Sequence, residues 1–361
     1  MTEDIYSKLA HVLNTLPNGF PPTANGVEIR LLKKIFSPGE AELFCRLKLT
    51  FETPEHISGR IDRPLAEVGG LLEVMKSKGQ VFGIEVAGMR FYRMLPWAFG
   101  IYEMQMPRID REMAEMCDEY TEAFGRQFFE TNLPLMQVIP IEKEIPNQQQ
   151  VLPHERVSAI IKKSRSFMYL DCICKKEQGL LGKPCDRPMQ VCTVYAPISG
   201  LFDNHPFGTV MTRQEAYDLL DRAESHGLVH LTWNVQSGHY FICNCCGCCC
   251  HVLRGINEMG FNAADVINSH YTAQLDPDDC SACGICEAER CQVNAIFHEE
   301  GMYRVAAEKC IGCGLCVSTC PEKALSLVRK PDDQIKTPPE DEIQWYIARA
   351  KMRGVDISEF T

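Results

Sequence analysis

The chain has no run approaching the roughly 20 apolar residues that a membrane-spanning helix needs. Insertion into a bilayer is therefore not expected. It also lacks positive charge: 37 Lys and Arg stand against 48 Asp and Glu, a formal net charge of −11. No segment carries a basic surplus of the kind that neutralises phosphates, so DNA is not an expected partner. Neither a P-loop nor a Gly-x-Gly-x-x-Gly after a strand occurs, which argues against a bound nucleotide, nicotinamide or flavin. The Cys-x3-Cys-x2-Cys of radical enzymes is missing. So is the Cys-x2-Cys-His of haem attachment, since Gly247 stands where Cys250-His251 would need a cysteine. The acidic start, Met1-Thr2-Glu3-Asp4, has no basic-then-apolar layout, and the expectation is a cytoplasmic protein.

What remains is a 361-residue chain, 45% hydrophobic and 24% charged, the mix of a globular protein of two to three domains. Cysteine is the outlier. Eighteen of the 20 cysteines lie between Cys172 and Cys320, some adjacent and others one residue apart. Thiols packed this densely in a large intracellular chain point to metal binding more than to disulfides. Cys45 and Cys117 sit apart in helical apolar patterns and read as small core residues.

Residues 1–106 read as helices followed by a hairpin. Ser37-Pro38, Thr53-Pro54 and Asp62-Arg63-Pro64 are helix starts, with a capping side chain and proline early in the first turn. The third helix carries Leu65, Val68, Leu71, Leu72 and Met75 at helical spacing and ends at Gly79. Two β-rich runs, 80–86 and 89–94, flank Ala87-Gly88. This order resembles a winged helix-turn-helix. The third helix mixes Asp62, Glu67 and Glu73 with Arg63, Lys76 and Lys78, where a reading helix brings surplus basic groups. A docking or dimerisation module is favoured over a DNA reader, with an oligomer through this domain open.

Residues 107–152 form an acidic helical connector, with a helix over 110–130 and a polar stretch over 147–150. Residues 153–271 make a cysteine-rich α+β domain opened by Pro153. In it a helix over 154–164 leads to a strand over 166–170, which delivers Cys172 and Cys174. Thr212 caps a further helix, and strands over 228–233 and 239–242 deliver the second cysteine group. Pro and Asp at 275–279 mark the next boundary. Residues 272–330 follow, then a tail with a helix over 331–361.

The clearest motif is an internal repeat. Cys280-x2-Cys283-x2-Cys286-x4-Cys291 is followed 30 residues on by Cys310-x2-Cys313-x2-Cys316-x3-Cys320-Pro321, each half with a Cys-Gly-x-Cys step. It resembles a bacterial-type ferredoxin with two [4Fe-4S] clusters. That resemblance implies one cluster on Cys280, Cys283, Cys286 and Cys320, and another on Cys310, Cys313, Cys316 and Cys291. The first half departs from the pattern. It has one residue more before Cys291, and Gln292 stands where proline is usual.

The middle domain carries Cys172, Cys174, Cys185 and Cys192, then Cys243, Cys245, Cys246, Cys248, Cys249 and Cys250. It resembles the cysteine-rich domains that precede ferredoxin modules in iron–sulfur proteins of anaerobes. Adjacent residues of an extended chain point to opposite sides, so one cluster does not take all three of Cys248, Cys249 and Cys250. The expectation is at least one further [4Fe-4S] cluster, with zinc as the alternative. His251 is either a ligand or a helix-start residue.

The fold class expected is thus α+β multidomain, with a winged-helix-like unit, a cysteine-rich domain and a dicluster ferredoxin-like domain. The resemblances imply an electron-transfer protein, a subunit or redox partner of an anaerobic oxidoreductase, with a non-catalytic role expected. The alternatives are a redox-sensing winged-helix transcription factor and an oxidoreductase with its active site at the middle cysteines.

Overall fold

A computed structural model describes residues 4–131, 133–145, 156–203, 205 and 207–361. The expected boundary at 152/153, the polar stretch over 147–150 and Pro153 lie outside these residues, as does the start of the helix expected from 154.

The first helices are α1 (Ile5–Thr15), α2 (Val27–Ile35), α3 (Pro38–Phe44), α4 (Pro54–Ile61) and α5 (Leu65–Ser77). Local chemistry sets their starts. Ser37 and Glu40 form a capping box before α3, and Thr53 Oγ1 accepts from the His56 amide at 3.3 Å before α4. Strands β1 (Val81–Val86) and β2 (Met89–Met94) pair as an antiparallel hairpin, and an isolated bridge joins Glu52 to Tyr92. Glu52 is buried and forks onto Arg60, with bonds of 2.8 and 2.6 Å.

After β2 the chain turns sharply through 97–101, where Phe99 adopts a left-handed φ of 53°. A bulky residue there is an outlier. Its ring stacks on Phe241 at 5.4 Å and meets Trp233 edge-on. The single turn α6 (Tyr102–Met104) follows, then α7 (Arg111–Phe129), whose amide at Met113 is capped by Asp110 at 2.9 Å.

A seven-stranded sheet forms the centre. Its strands are β3 (Met136–Val138), β4 (Ser166–Asp171), β5 (Gln190–Ala196), β6 (Thr209–Met211), β7 (Val229–Trp233), β8 (Phe241–Cys245) and β9 (Ile267–Asn268), in the order β6-β4-β5-β8-β7-β3-β9. All neighbours are antiparallel except β3 and β9. The helices of this region are α8 (Val157–Lys163), α9 (Ile173–Leu180), α10 (Arg213–Ser225), α11 (His251–Asn257) and α12 (Ala263–Val266). The described part of the segment expected as an acidic helical connector also packs: α7 meets α2 and α9, and β3 is an interior strand of the sheet. And β8 runs to Cys245, so Cys243 and Cys245 lie within the strand, on one face, rather than after it.

In the following unit β10 (Tyr271–Leu275) pairs with β13 (Leu325–Arg329), enclosing a second hairpin of β11 (Ile296–Glu299) and β12 (Met302–Val305). The last helix, α13 (Glu342–Arg353), returns to the first residues of the chain. Trp345 and Arg349 on it are almost wholly buried. The Trp345 indole donates to the Pro134 carbonyl at 3.0 Å, and Arg349 Nε donates to the Pro17 carbonyl at 3.1 Å.

Candidate metal centres

The repeat folds its cysteines into two sets. A cavity is lined by Cys280, Cys283, Cys286 and Cys320 together with Gly284, Tyr303 and Pro321, and Cys316 of the second half also reaches its wall. The other set, Cys291, Cys310, Cys313 and Cys316, is buried deeper. Burial pushes the Cys313 thiol up to about 12, and the nearby Cys310 and Cys291 add to that. Backbone amides point at these sulfurs. The Ala295 amide donates to Cys291 Sγ at 3.1 Å and the Ala273 amide to Cys310 Sγ at 3.3 Å. Thiolates in a low-dielectric pocket with amide donors are the environment an iron–sulfur cluster needs, so these residues fit such a group.

The two departures of the first half have a local reason. The extra residue is absorbed by a π-turn over Cys286–Arg290, closed by the Cys291 amide donating to the Cys286 carbonyl at 3.0 Å. It leaves Arg290 buried against the middle domain, donating to the carbonyls of Ser225 at 3.1 Å, Glu224 at 2.9 Å and Leu315 at 3.3 Å. Gln292 accepts from the Gly247 amide through Oε1 at 2.9 Å. Proline has no side-chain acceptor for this bond.

The ten middle cysteines divide. Six form a ring in which each thiol interacts with two others, in the order Cys172, Cys174, Cys250, Cys245, Cys243 and Cys192. Strand pairing contributes, since Cys192 and Cys243 are partners across β5 and β8. The thiol acidities alternate around this ring. Cys172, Cys250 and Cys243 are lowered, Cys243 to about 6, because both neighbours donate to each. Cys174, Cys192 and Cys245 are raised because they hold those protons and are buried.

The remaining four, Cys185, Cys246, Cys248 and Cys249, form a compact cluster in which all sulfurs lie within 4.8 Å of one another. Sequence neighbours thus part company: Cys245 and Cys250 belong to the ring, Cys246 and Cys249 to the tetrad.

The ring borders a cavity of about 110 Å³ whose far wall is α7 and the turn around Phe99. Sequence reasoning missed this wall. Tyr102 donates to Glu177 Oε2 at 2.7 Å, and His251 Nε2 lies 3.0 Å from both Tyr102 Oη and Glu177 Oε1. His251 Nδ1 lies 3.3 Å from Thr121 Oγ1, so protein partners engage both ring nitrogens. Glu177 is fully buried. Burial opposes its ionisation, but His251 and Tyr102 outweigh that and hold its carboxyl below the ordinary range. For Glu103, burial raises the carboxyl to about 7 despite the Gly100 amide. Of the two isolated cysteines, Cys117 is buried on the cavity wall and Cys45 is partly exposed. Cys117 was not marked by any motif.

Comparison with known proteins adds to this geometry. Residues 303–326 match the 4Fe-4S binding domain family, and all four cysteines of the second half fall in the match. The chain is 33% identical over 91 residues to an uncharacterized ferredoxin of Methanocaldococcus jannaschii, covering 25% of this chain and 52% of that protein. It is 44% identical over 48 residues to one subunit of an ion-translocating oxidoreductase complex of Methanosarcina acetivorans, covering 13% of this chain and 18% of that subunit. The chain thus spans about half the length of the first relative and under a fifth of the second. No solved structure matches. Among the described residues no helix is long and apolar enough to cross a membrane.

Proposed function

We propose that the chain is a multi-centre electron relay serving an oxidoreductase as subunit or dedicated redox partner. It carries a ferredoxin-type 4Fe-4S domain at its C-terminal side, and its chemistry is iron–sulfur electron transport. In this reading Cys280, Cys283, Cys286 and Cys320 hold one [4Fe-4S] cluster, and Cys310, Cys313, Cys316 and Cys291 hold the other. A further iron–sulfur centre sits on the six-thiol ring. Bound there, such centres supply one-electron steps at potentials set by burial and amide donors.

The observation that carries the reading is the direct seam between the ring's strand and the ferredoxin unit. The turn following β8 bonds through Gly247 to Gln292, next to Cys291. The chain's own residues gather the ring at the cavity, aim amides at the ferredoxin sulfurs and fix the two units against each other. The relative that belongs to an oxidoreductase complex supports an oxidoreductase as the partner.

The N-terminal unit is read as a winged helix used for docking. Just before α5 Arg63 pairs with Glu67, and on the hairpin Arg90 pairs with Glu73 of α5, which leaves little free cation for phosphates. Leu65, Val74 and Met89 are exposed there and suit a protein partner.

The test is the anaerobically purified full chain with Cys192→Ser and Cys243→Ser together. Iron and sulfide should fall below wild type while the ferredoxin signals persist in electron paramagnetic resonance. A wild-type content of about eight iron and eight sulfide, as two cubanes imply, unchanged in the variant, would remove the third centre.

A further inference from the structure

We propose that Cys185, Cys246, Cys248 and Cys249 bind a single tetrahedral thiophilic ion, zinc or ferrous iron, and not a cubane. The spacing is the first argument. Cys185 Sγ lies 3.8 Å from Cys246 Sγ and 3.7 Å from Cys248 Sγ, and Cys248 Sγ lies 3.6 Å from Cys249 Sγ. A metal–sulfur bond of about 2.3 Å in a regular tetrahedron places its sulfurs about 3.8 Å apart. In a cubane each thiolate sits on a different iron and points outward from its own corner, which spreads the four sulfurs well beyond this.

The molecule contains its own control. Among the described residues, the tetrad is the one set of His, Cys, Asp or Glu donors whose ligand atoms all lie within 4.8 Å of one another. The ferredoxin sets are wider, as expected of sulfurs that hold polynuclear clusters. The tetrad is the odd one out within a single chain.

Charge supports the assignment. Four thiolates around one divalent ion leave a net charge of −2. The Arg187 guanidinium lies 3.8 Å from Cys248 Sγ, held by its Nε donating to the His226 carbonyl at 3.2 Å. Lys175, nearly wholly buried, favours the charged form of Cys246 through its own charge. All four coordination positions are thiols, the closed arrangement of a structural ion. Three ligands lie in one turn, 246–249, and the fourth is in the loop that leads to β5. An ion there ties that loop to the turn whose Gly247 touches Gln292, and so braces the seam with the ferredoxin unit. Zinc and ferrous iron share this geometry, and the experiment separates them.

The proposal goes beyond the relay reading and does not rest on the ring's ligands. It is tested on the full chain, purified anaerobically, by metal and sulfide analysis with X-ray absorption at the zinc and iron edges. The expected result is one ion per chain outside the iron–sulfide stoichiometry. If zinc, its shell is four sulfurs at about 2.3 Å with no metal neighbour; if iron, the iron content exceeds sulfide by one. Cys248→Ser, a change at an exposed thiol, should lower occupancy of that ion at least tenfold while sulfide stays at its wild-type value. The wild-type absorption spectrum does not depend on the variant's folding. A wild type with iron equal to sulfide and no zinc overturns the proposal, and so does a Cys248→Ser protein that loses iron and sulfide in equal amounts. Loss of iron in the ring variant alone bears on the third centre and leaves this one standing.

Discussion

Replacing Gly247 by alanine probes the seam between the cysteine-rich and ferredoxin units with a single methyl group. A Cβ at this position would lie within clash distance of the Gln292 carbonyl oxygen, 3.1 Å from its carbonyl carbon and 2.9 Å from Asn257 Nδ2. Two of these atoms are backbone, so no rotamer change relieves the overlap. Asn257 is itself pinned by donating to the Gln292 carbonyl at 2.9 Å. Overpacking of this kind costs about 1–3 kcal/mol. Because the clash with the Gln292 backbone exists only when the units are docked, the cost of that contact falls on the docked state and opens the seam. Converted at about 1.4 kcal/mol per factor of ten, protection of the residue-247 amide should fall between about 5-fold and 150-fold. That amide donates to Gln292 Oε1 and reports the seam directly in hydrogen exchange of the full chain. Gly69→Ala is the control, because a Cβ there meets nothing within 4 Å on α5. Protection at residue 247 within twofold of wild type would refute the close-approach argument.

Three further outcomes are expected. Cys320→Ala should abolish the signal of the cluster on Cys280, Cys283 and Cys286 while the Cys310–Cys313–Cys316 set, completed by Cys291, keeps its own; paramagnetic resonance on the reduced protein checks it. Arg290→Met removes three bonds to carbonyls from a buried guanidinium, and a loss of about 2–4 kcal/mol should appear as a thermal midpoint several degrees lower. Burial opposes ionisation of Glu40, but Lys78, the Ser37 amide and Gln80 outweigh it and hold the carboxyl below its ordinary value. Its folded value is thus below its unfolded one, so its contribution is full above about pH 4.3 and is lost as pH falls through the folded value. Glu40→Gln should remove that acid-side loss of α3 amide protection, measured after correction for intrinsic exchange rates.

Where structure was set by neighbours in sequence, it was legible. The Ser37, Thr53 and Thr212 helix starts and the hairpin around Ala87-Gly88 rest on contacts within a few residues, and the ferredoxin repeat was legible from the spacing of its cysteines. The sheet order was not legible, because β3 has three residues and β9 two, too short for alternation to register, and both pair with strands distant in sequence. The division of the ten middle cysteines was half-legible. Alternation along the chain already separates Cys245 from Cys246, but only the fold brings Cys185 to the turn at 246–249 and Cys172 and Cys174 to Cys250. Gln292 stood out as a departure, whereas its bond to Gly247 depends on a surface that no local pattern announces. Tyr102, Glu103 and Glu177 carried no motif; the turn at Phe99 brings Tyr102 and Glu103 to the cavity wall, and Tyr102 reaches Glu177 from there.

The return of α13 to the start of the chain sets an order of events during synthesis. Arg349 donates to the Pro17 carbonyl across 332 positions, and the Leu49 amide donates to the Phe360 carbonyl at 2.7 Å. At about 5–20 residues per second a ribosome needs roughly 15–70 s to make the stretch between the first pair. For all of that time the N-terminal helices wait without Trp345 and Arg349. The last cysteine, Cys320, precedes Arg349 by only 29 residues, so all the cysteines are present together for about 1.5–6 s before Arg349 is made. Metal loading therefore has a window in which the cysteine regions exist and the last clasp is still open. Closure by α13 comes after it, so the N-terminal helices gain their last partner only when every cysteine is already in the chain.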